Sequence, residues 1–377
     1  MSAGAPLPPD LEPVTPHGGR PLPPARTRFG RWLQRRVPVD LEALRYYSNE
    51  PVPNHLKHWW WCLGGTPAML FTVQAATGIL LSFYYVPDPS QAYESVKRIG
   101  EAVPFGWFLR SIHRWSSNLM IAAVILHMMR VFFTGAYRKP RELNWMIGIG
   151  LLGTTFFFGF TGYSLVYEQL SYWGATVAGN LTEAVPLIGT YLARLLRGGE
   201  MIGDNTLTRF FILHIGILPA LITALLAGHI LLFRLHGVTE FEFESARLHG
   251  PEEKKTFPFF PDHVMTELIV GIGLAFLLTC LAVIFPAGLA EKANPLITPA
   301  HIKPEWYFFW TFRWLKLTGL TFAVLSIGFF GFLALVWPFI DQAIRRRRPA
   351  SEISVKIGLA AVCALLVLTV WEAIATH

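Results

Sequence analysis

The chain has 377 residues, of which 53% are hydrophobic and 15% are charged, and its formal net charge is +7 at pH 7. This composition excludes an ordinary soluble globular protein and indicates an integral membrane protein, whose basic residues collect in cytoplasmic connections and need no nucleic-acid partner. The three cysteines form no CxxC pair, which excludes a disulfide framework and a zinc site.

The first 40 residues precede any apolar segment. Residues 1–25 are rich in proline, alanine and glycine, and we expect a disordered tail there. Residues 29–36 carry several arginines and are expected to form a basic helix at the membrane surface. No cleavable signal peptide is expected, because this stretch lacks an apolar core.

Seven apolar segments follow, each near the length needed to cross the hydrocarbon layer of a membrane. We name these predicted spans A to G. They cover residues 59–85, 111–133, 143–165, 210–233, 268–286, 317–340 and 357–371. The predicted fold class is therefore an all-α membrane protein with about seven transmembrane helices.

The positions of lysine and arginine predict the orientation of these spans. Basic clusters lie in the leading segment, between spans B and C at residues 138–141, and between spans F and G at residues 345–348. With seven spans, all three clusters fall on one side, so the N-terminus is predicted in the cytoplasm and the C-terminus outside. The C–D and E–F connections then lie outside, and both are long enough to contain structure.

Spans B and D each contain two histidines. His113 and His127 are 14 residues apart in span B, and His214 and His229 are 15 residues apart in span D. About four helical turns separate the two histidines of each span, so both lie on one helix face, about 21–22 Å apart along the helix axis. A histidine that faces lipid is costly, and four of them need partners.

Topology assigns each histidine to a side of the membrane. Spans B and D both run inward, so His113 and His214 are predicted at the outer level, and His127 and His229 at the inner level. If the two spans are adjacent, each level offers two imidazoles to one iron, as in a b-type haem with two histidine ligands. Two other interpretations stay open here: four separate core histidines, or a proton relay in a transporter.

Glycines in spans A and C repeat the same interval. Gly64 and Gly78 are 14 residues apart in span A, and Gly148 and Gly162 are 14 residues apart in span C. Glycine lets a backbone approach a flat ring closely. Although glycines are common at ordinary helix contacts, their register with the histidines favours packing against a haem.

Several motifs resemble the cytochrome b family of quinol-oxidising bc and b6f complexes. They are RSIHRW from Arg110, TGYS from Thr161, TLTR from Thr206 and PEWY from Pro304, together with His127. The chain is most similar to the b6 type fused to subunit IV, because 14 residues separate the span D histidines where the mitochondrial type has 13. The resemblance implies a haem-binding four-helix bundle of spans A–D within residues 41–240, and a subunit IV-like domain of spans E–G within residues 260–377.

The resemblance also implies the cofactors. Two b-type haems are expected, one held by His113 and His214 and the other by His127 and His229. A third haem, of the covalent c type, is implied at Cys62, which begins a Cys-Leu-Gly-Gly segment at the inner start of span A. Without the resemblance, a lone cysteine is better explained as a small buried side chain.

A quinone site is implied at each side of the membrane. At the outer site, Glu305 is expected to accept a proton from quinol, and Tyr307 to shape the pocket. One departure from the b6 pattern lies close by, because Val166-Tyr167-Glu168 stands where that type usually has Pro-Trp-Asp. The outer pocket is therefore expected to differ in shape.

Four arginines near the histidines are expected to bind anions. Arg110, Arg114 and Arg209 lie at the outer level, where they are expected to neutralise haem propionates. Arg234 follows His229 by five residues and is expected to bind a propionate or an anionic quinone at the inner site.

The mechanism implied by the resemblance is bifurcated quinol oxidation. One electron passes to the iron–sulfur cluster of a Rieske partner, and the other crosses the membrane through the haems to the inner quinone, while protons are released outside and taken up inside. The implied setting is a homodimeric complex with cytochrome c-type subunits in the lipid of a bacterial cytoplasmic membrane. A different class, the di-haem anchor that connects a dehydrogenase or hydrogenase to quinone, has no use for the PEWY motif.

Overall fold

The computed structural model describes residues 27, 51–53, 63–237, 256–300 and 302–375. The chain divides into two compact units, a smaller one from residues 1–62 and 240–270 and a larger one from residues 63–239 and 271–377. Every predicted site residue that the structure describes lies in the larger unit.

The first part of the larger unit contains predicted spans A to D. Its helices are α1 Gly65–Ser82, α2 Ala92–Glu101, α3 Gly106–Phe133, α4 Glu142–Ser164, α5 Gln169–Glu183, α6 Gly189–Arg197, α7 Asp204–Ile212 and α8 Leu218–His236. Spans A, B and C correspond to α1, α3 and α4, and span D is formed by α7 and α8 with a π turn between them. These apolar segments are helical because a helix satisfies its backbone polar groups internally, as lipid requires.

Predicted spans E to G lie in the second part of the chain. They correspond to α9 Val264–Ile284, α11 Leu320–Arg347 and α12 Ile353–Ile374, and a shorter helix, α10 Phe309–Thr318, precedes α11. Span F begins three residues later than predicted, because Gly319 has a φ of +81° and separates α10 from α11. Glycine adopts this left-handed conformation readily, whereas other residues rarely do.

Among the residues that the structure describes, six helical segments are long and apolar enough to cross a membrane. They are Gly106–Phe133, Glu142–Ser164, Asp204–His236, Phe259–Ile284, Leu320–Arg347 and Ile353–Ile374. These six are predicted spans B to G, and the 18-residue helix α1 carries span A. The protein is therefore a multi-pass membrane protein of the predicted all-α class.

One small feature departs from the all-α prediction. In the smaller unit, β1 Pro51–Pro53 pairs with β2 Thr256–Pro258 in an antiparallel arrangement that places Val52 opposite Phe257. Both central residues are buried. The pairing joins segments about 200 residues apart in sequence, which explains why local patterns did not predict it.

The helices that carry the histidines are held by two close contacts, α1 against α3 and α4 against α8. Leu70, Met120, Ala123, Ile222 and Leu278 form a buried cluster. The first four lie, by position in their helices, between the two histidine levels. An apolar core thus separates the levels, and the histidines flank it on either side.

Candidate functional site

The structure brings the four histidines together in the two predicted pairs. The ring centroids of His113 and His214 are 6.4 Å apart, and those of His127 and His229 are also 6.4 Å apart. Helix α3 therefore lies beside the continuous α7–α8 helix, which the sequence analysis had to assume.

A local change in helix geometry compensates for the unequal spacing of the histidines. Residues Leu213–Ile217 form a π turn that contains His214. A π turn takes up more residues than an α turn, and such single turns are frequent at functional sites. The 15-residue interval of span D therefore matches the 14-residue interval of α3, and both pairs meet at the same distance.

The distance between paired rings fits one metal ion. A metal–nitrogen bond is about 2 Å and a ring nitrogen lies roughly 1 Å from the ring centre, so two imidazoles on opposite sides of a metal have centroids about 6 Å apart. In the part of the chain that the structure describes, no third histidine, cysteine or carboxylate joins either pair to form a metal site. The other ligands of a metal held by such a pair would come from outside these residues, and the macrocycle of a haem could supply them.

A threonine fixes which nitrogen of His214 carries the proton. The hydroxyl of Thr161 donates to the carbonyl of Phe157 at 2.9 Å, and its oxygen lies 2.9 Å from Nδ1 of His214. Because the hydroxyl proton is already donated, the oxygen accepts a hydrogen bond from Nδ1–H. Nε2 is then the unprotonated nitrogen that can bind a metal.

The same arrangement holds His113. The hydroxyl of Thr77 donates to the carbonyl of Val73 at 2.7 Å and lies 2.8 Å from Nδ1 of His113. The other pair differs, since Nδ1 of His127 is buried without a hydrogen-bond partner among the described residues. The sequence analysis missed both threonines, although each directly precedes one of the predicted glycines.

Each of the four predicted glycines faces one histidine ring. A β-carbon added at the glycine would lie 2.9–3.6 Å from Cε1 of the ring, the pairs being Gly64 with His127, Gly78 with His113, Gly148 with His229 and Gly162 with His214. At Gly78 and Gly162 the glycine makes room for the imidazole, whereas the distances at Gly64 and Gly148 are ordinary contacts, so packing against a haem stays a prediction there. The tightest case is Gly162, where 2.9 Å leaves no space for a methyl group.

Two further residues were predicted for the inner level. Cys62 lies outside the described residues. Arg234 lies on an exposed part of the last turn of α8, five residues after His229. The proposed roles of both residues stay predictions.

Arg110 and Arg209 bind backbone carbonyls. Nη1 of Arg110 donates to Ala287 at 2.6 Å and Nη2 donates to Gly288 at 2.7 Å. Nη1 of Arg209 donates to the carbonyl of Leu195. Both guanidinium groups thus fasten connecting segments, and their predicted contact with haem propionates stays a prediction.

Arg114 connects the helix of His113 to Glu305. Nη2 of Arg114 lies 3.8 Å from Oε1 of Glu305, and the two side chains are 51% and 23% exposed. Next to Glu305, the indole nitrogen of Trp306 donates to Oδ1 of Asn118 at 2.6 Å, which is a second link to α3. The carboxylate of the PEWY motif is therefore paired with Arg114, which directly follows the predicted haem ligand His113.

Tyr307 is buried against α4. Its ring is 5% exposed and packs against Phe156, while a β-carbon at Gly159 would lie 2.9 Å from its hydroxyl oxygen. Burial raises the pKa of the Tyr307 phenol above its ordinary value, so the phenol stays protonated. Gly159 is thus a further required glycine, three residues before Gly162, which the sequence analysis did not single out.

An apolar cavity of about 420 Å³ lies beside this segment. Its walls are phenylalanines of α4, Tyr163, Trp173 of α5, and Pro304 and Phe308 on either side of Glu305. An apolar cavity with few polar groups at its edge is suited to a flat, hydrophobic ligand. Glu305 and Tyr307 do not line it themselves, but both lie between Pro304 and Phe308, which do.

Glu168, in the segment that departs from the b6 pattern, is a second carboxylate near this edge. Its Oε2 accepts a hydrogen bond from the backbone nitrogen of Ala290 at 3.0 Å. Burial raises the pKa of Glu168, while this hydrogen bond and the charges of Arg110 and Arg114 act in the opposite direction and Glu305 adds to the rise. Glu168 stands where the b6 pattern has Asp, so the segment keeps an acidic group at this position, and that group interacts electrostatically with Glu305.

Two protein-family models match the chain. The model described as Cytochrome b/b6/petB matches residues 47–237, and the model described as Cytochrome b(C-terminal)/b6/petD matches residues 292–376. The first match includes all four histidines, and the second includes the PEWY segment.

Individual proteins give a consistent result. A cytochrome bc complex cytochrome b subunit from Chlorobaculum thiosulfatiphilum is 38% identical over 91% of this chain and 80% of its own length. Cytochrome b6 from Heliobacterium modesticaldum is 42% identical over 55% of this chain and 98% of its own length. A solved structure, the hyperthermophilic respiratory complex III, aligns with a TM-score of 0.72 and 26% identity over 90% of this chain and 97% of that one.

Proposed function

Because the chain belongs to the cytochrome b/b6 family, with its b6 and petD parts in one polypeptide, we propose that it oxidises quinol at the cavity beside Glu305 and reduces quinone at the opposite side of the membrane. It is a cytochrome b subunit of a bc/b6f-type complex. The observation that carries the proposal is the ion pair between Glu305, at the edge of the cavity, and Arg114, which directly follows His113 in α3.

The histidine pairs hold the redox groups in this proposal. His113 with His214, and His127 with His229, would each bind one b-type haem, and the bound haems would supply one-electron transfer between the two sides. The chain itself fixes the protonated nitrogen of two ligands through Thr77 and Thr161. It also separates the two levels by the apolar core described above.

Glu305 accepts a proton from the quinol hydroxyl. Its carboxylate is paired with Arg114 and is itself 23% exposed, so a proton taken up by Glu305 has a route towards solvent. Tyr307, buried and protonated, packs against Phe156, which lines the cavity. Quinol releases two electrons: one goes to a Rieske iron–sulfur partner, and the other crosses the membrane. Proton release on one side and uptake on the other then build a gradient.

Substitution of Glu305 tests this proposal. In the purified complex, Glu305→Gln should lower the rate of quinol oxidation at least about tenfold, because general-base steps contribute about 10²–10⁴-fold. The absorption bands of reduced b-type haem should be retained, since Glu305 lies outside both histidine pairs. Glu352→Gln is a suitable control, because Glu352 is 75% exposed and far along the sequence from the cavity walls.

Two results would replace the proposal by another class. Retained quinol oxidation in Glu305→Gln would favour a di-haem anchor, which only connects another enzyme to quinone. The absence of b-type bands in the dithionite-reduced protein would favour a histidine proton relay without haem.

A third haem at Cys62 is part of the same proposal. It rests on the family membership and on the Cys-Leu-Gly-Gly segment, because Cys62 lies outside the described residues. A denaturing gel stained for haem peroxidase activity should show haem on the wild-type chain, and no haem on Cys62→Ser. Cys363→Ala is the control, since this exposed thiol lies in the middle of a membrane helix. If the wild-type chain shows no haem stain, the chain carries no covalent haem.

The assembly and orientation are proposed from the family as well. We expect copurification with a Rieske protein and cytochrome c-type subunits, and a homodimeric complex. From the basic clusters we expect the N-terminus in the cytoplasm of a bacterium and the C-terminus outside. Two reporters test this orientation, one active only in the cytoplasm and one active only outside, each fused to either terminus. A cytoplasmic reporter that is active at the C-terminus and inactive at the N-terminus would contradict it.

A further inference from the structure

A buried group of charges joins the last helix to the segment that follows Glu305. The carboxylate of Glu372, near the end of α12, has no exposed surface. Its Oε2 lies 2.9 Å from Nε of Arg313, and its Oε1 lies 3.1 Å from Nζ of Lys316. The two cations are three residues apart in α10 and hence on one face of that helix.

A third cation, Lys303, binds the end of the same helix. Its Nζ lies 2.8 Å from the carbonyl oxygen of Glu372, 3.3 Å from that of Ala373 and 2.8 Å from that of Ala375. The last carbonyls of a helix lack partners within the helix and carry partial negative charge. The three protons of the ammonium group thus meet three acceptors.

We call Lys303, Arg313, Lys316 and Glu372 together the Glu372 cluster. Two aromatic rings pack against its cations. The guanidinium carbon of Arg313 lies 4.8 Å from the ring centroid of Trp371, and Nζ of Lys316 lies 4.1 Å from that of Phe312. Each cation therefore has at least one protein group as a partner, and together they connect α10 and the segment before Glu305 to the end of α12.

The cluster touches two edges of the cavity wall. Ile302 and Pro304, on either side of Lys303, line the cavity. Phe312 and Leu315, next to Arg313 and Lys316 in α10, line it too. Glu305 follows Lys303 by two residues.

We propose that Glu372 and Lys303 are positioning residues for quinol oxidation, and that the end of the last helix fixes the wall of the quinol cavity and the carboxylate of Glu305. The proposal rests on the function proposed above. A buried ion cluster is seldom the most stable filling of an apolar interior, and specificity of arrangement is a better-supported reason to keep one. Here the ion cluster would fix the position of the PEWY segment relative to α12.

The test uses two variants of the complete complex. Glu372→Gln keeps the shape of the side chain and removes the charge that Arg313 and Lys316 face. Lys303→Met keeps the length of the side chain and removes the contact with the helix end. In each, we expect the KM for quinol to rise about ten- to hundredfold, because small displacements of a reacting group have effects of that size. The haem spectrum should match the wild type.

Conservative variants and a matched control separate positioning from general stability. Lys303→Arg keeps the charge and should restore most of the wild-type KM, which a merely destabilised helix would not require. Glu352→Gln removes a carboxylate from the other end of the same helix, where Glu352 and Lys356 are about three-quarters exposed, and should leave the KM unchanged.

The outcomes distinguish this proposal from the function on which it depends. Wild-type KM in both Glu372→Gln and Lys303→Met, with quinol oxidation lost in Glu305→Gln, would overturn only the positioning role. Retained oxidation in Glu305→Gln would overturn both proposals. If Glu372→Gln fails to assemble, the KM of Lys303→Met decides, and an unchanged value counts against the proposal.

Discussion

The hydroxyl oxygen of Thr161 lies 2.9 Å from Nδ1 of His214, and its own proton is donated to a backbone carbonyl one turn earlier. The threonine can therefore only accept at this contact. An imidazole that donates from Nδ1 is a more basic ligand at Nε2, and a more basic ligand favours the oxidised form of an iron bound there.

Removal of this hydroxyl should therefore raise a redox potential. Thr161→Val is expected to raise the midpoint potential of the b-type haem proposed at His113 and His214 by up to about 40 mV, which corresponds to a bond of about 1 kcal/mol lost by the oxidised form. A potentiometric titration of the reduced b-type bands measures the change. Thr154→Val is the control on the same helix, because that hydroxyl donates only to Gly150. Equal shifts in the two variants would contradict the assignment.

Gly162 should be intolerant of any side chain. Gly162→Ala places a β-carbon 2.9 Å from Cε1 of His214, and overpacking of this kind costs about 1–3 kcal/mol. We expect the ring to be displaced and the haem content to fall from two b-type haems per chain towards one. Gly150→Ala is the matched control, since its β-carbon would lie 3.7 Å from Leu225 in an ordinary contact. The haem-to-protein ratio should therefore be lower in Gly162→Ala than in Gly150→Ala, and equal ratios would contradict the prediction.

Asp341 should be one of the more important charges for stability. It is 1% exposed and lies 2.9 Å from Nε of Arg138 and 3.3 Å from Nε of Arg345, with a further hydrogen bond from Ser354. Asp341→Asn should lower the free energy of unfolding by about 1–3 kcal/mol, less than for a fully buried pair because the arginines are about one-third exposed.

Thermal unfolding in detergent measures the effect of Asp341→Asn. The exposed pair Glu352–Lys356 provides a contrast, and Glu352→Gln should change the free energy by less than about 0.5 kcal/mol. Similar losses in the two variants would mean that burial of Asp341 adds nothing.

Glu168 should make stability depend on pH. Burial raises its pKa in the folded protein, so the native state holds this proton more tightly than the unfolded chain does. The resulting stabilisation is complete below the unfolded pKa and is lost as pH rises through the folded pKa. The unfolding temperature of Glu168→Gln, relative to the wild type, should therefore increase from acidic to neutral pH. The effect should stay below about 1 kcal/mol, because Glu168 is only half-buried, and a pH-independent difference would argue against it.

Apolar length predicted where the membrane helices lie, but not where they end. Span G was predicted to stop at residue 371 because Glu372 is charged, yet α12 continues to Ile374. Glu372 stays inside because Arg313 and Lys316, from a distant segment, neutralise it. Similarly, α11 extends to Arg347, past the predicted end at residue 340, because a helix can continue into water after its apolar part ends.

The histidine pairs could be predicted because spacing and orientation are both properties of the sequence. Periodicity placed two histidines on one face of each helix, and the basic connections assigned their levels. The partners of Glu305 could not be found in this way, since the Arg114 contact depends on how a connection folds back onto α3. Thr77 and Thr161 were also missed, because the direction in which a hydroxyl donates is decided by its own backbone.

The π turn at Leu213–Ile217 changes what a difference in ligand spacing means. A one-residue insertion would rotate every later side chain of an ordinary helix by about 100°, and so turn His229 away from its partner. The wider turn confines that rotation to five residues, and the second ligand keeps its direction. A chain with one residue more or fewer between these histidines can therefore keep both rings facing their partners, so the interval in the sequence does not by itself measure the distance between the two levels.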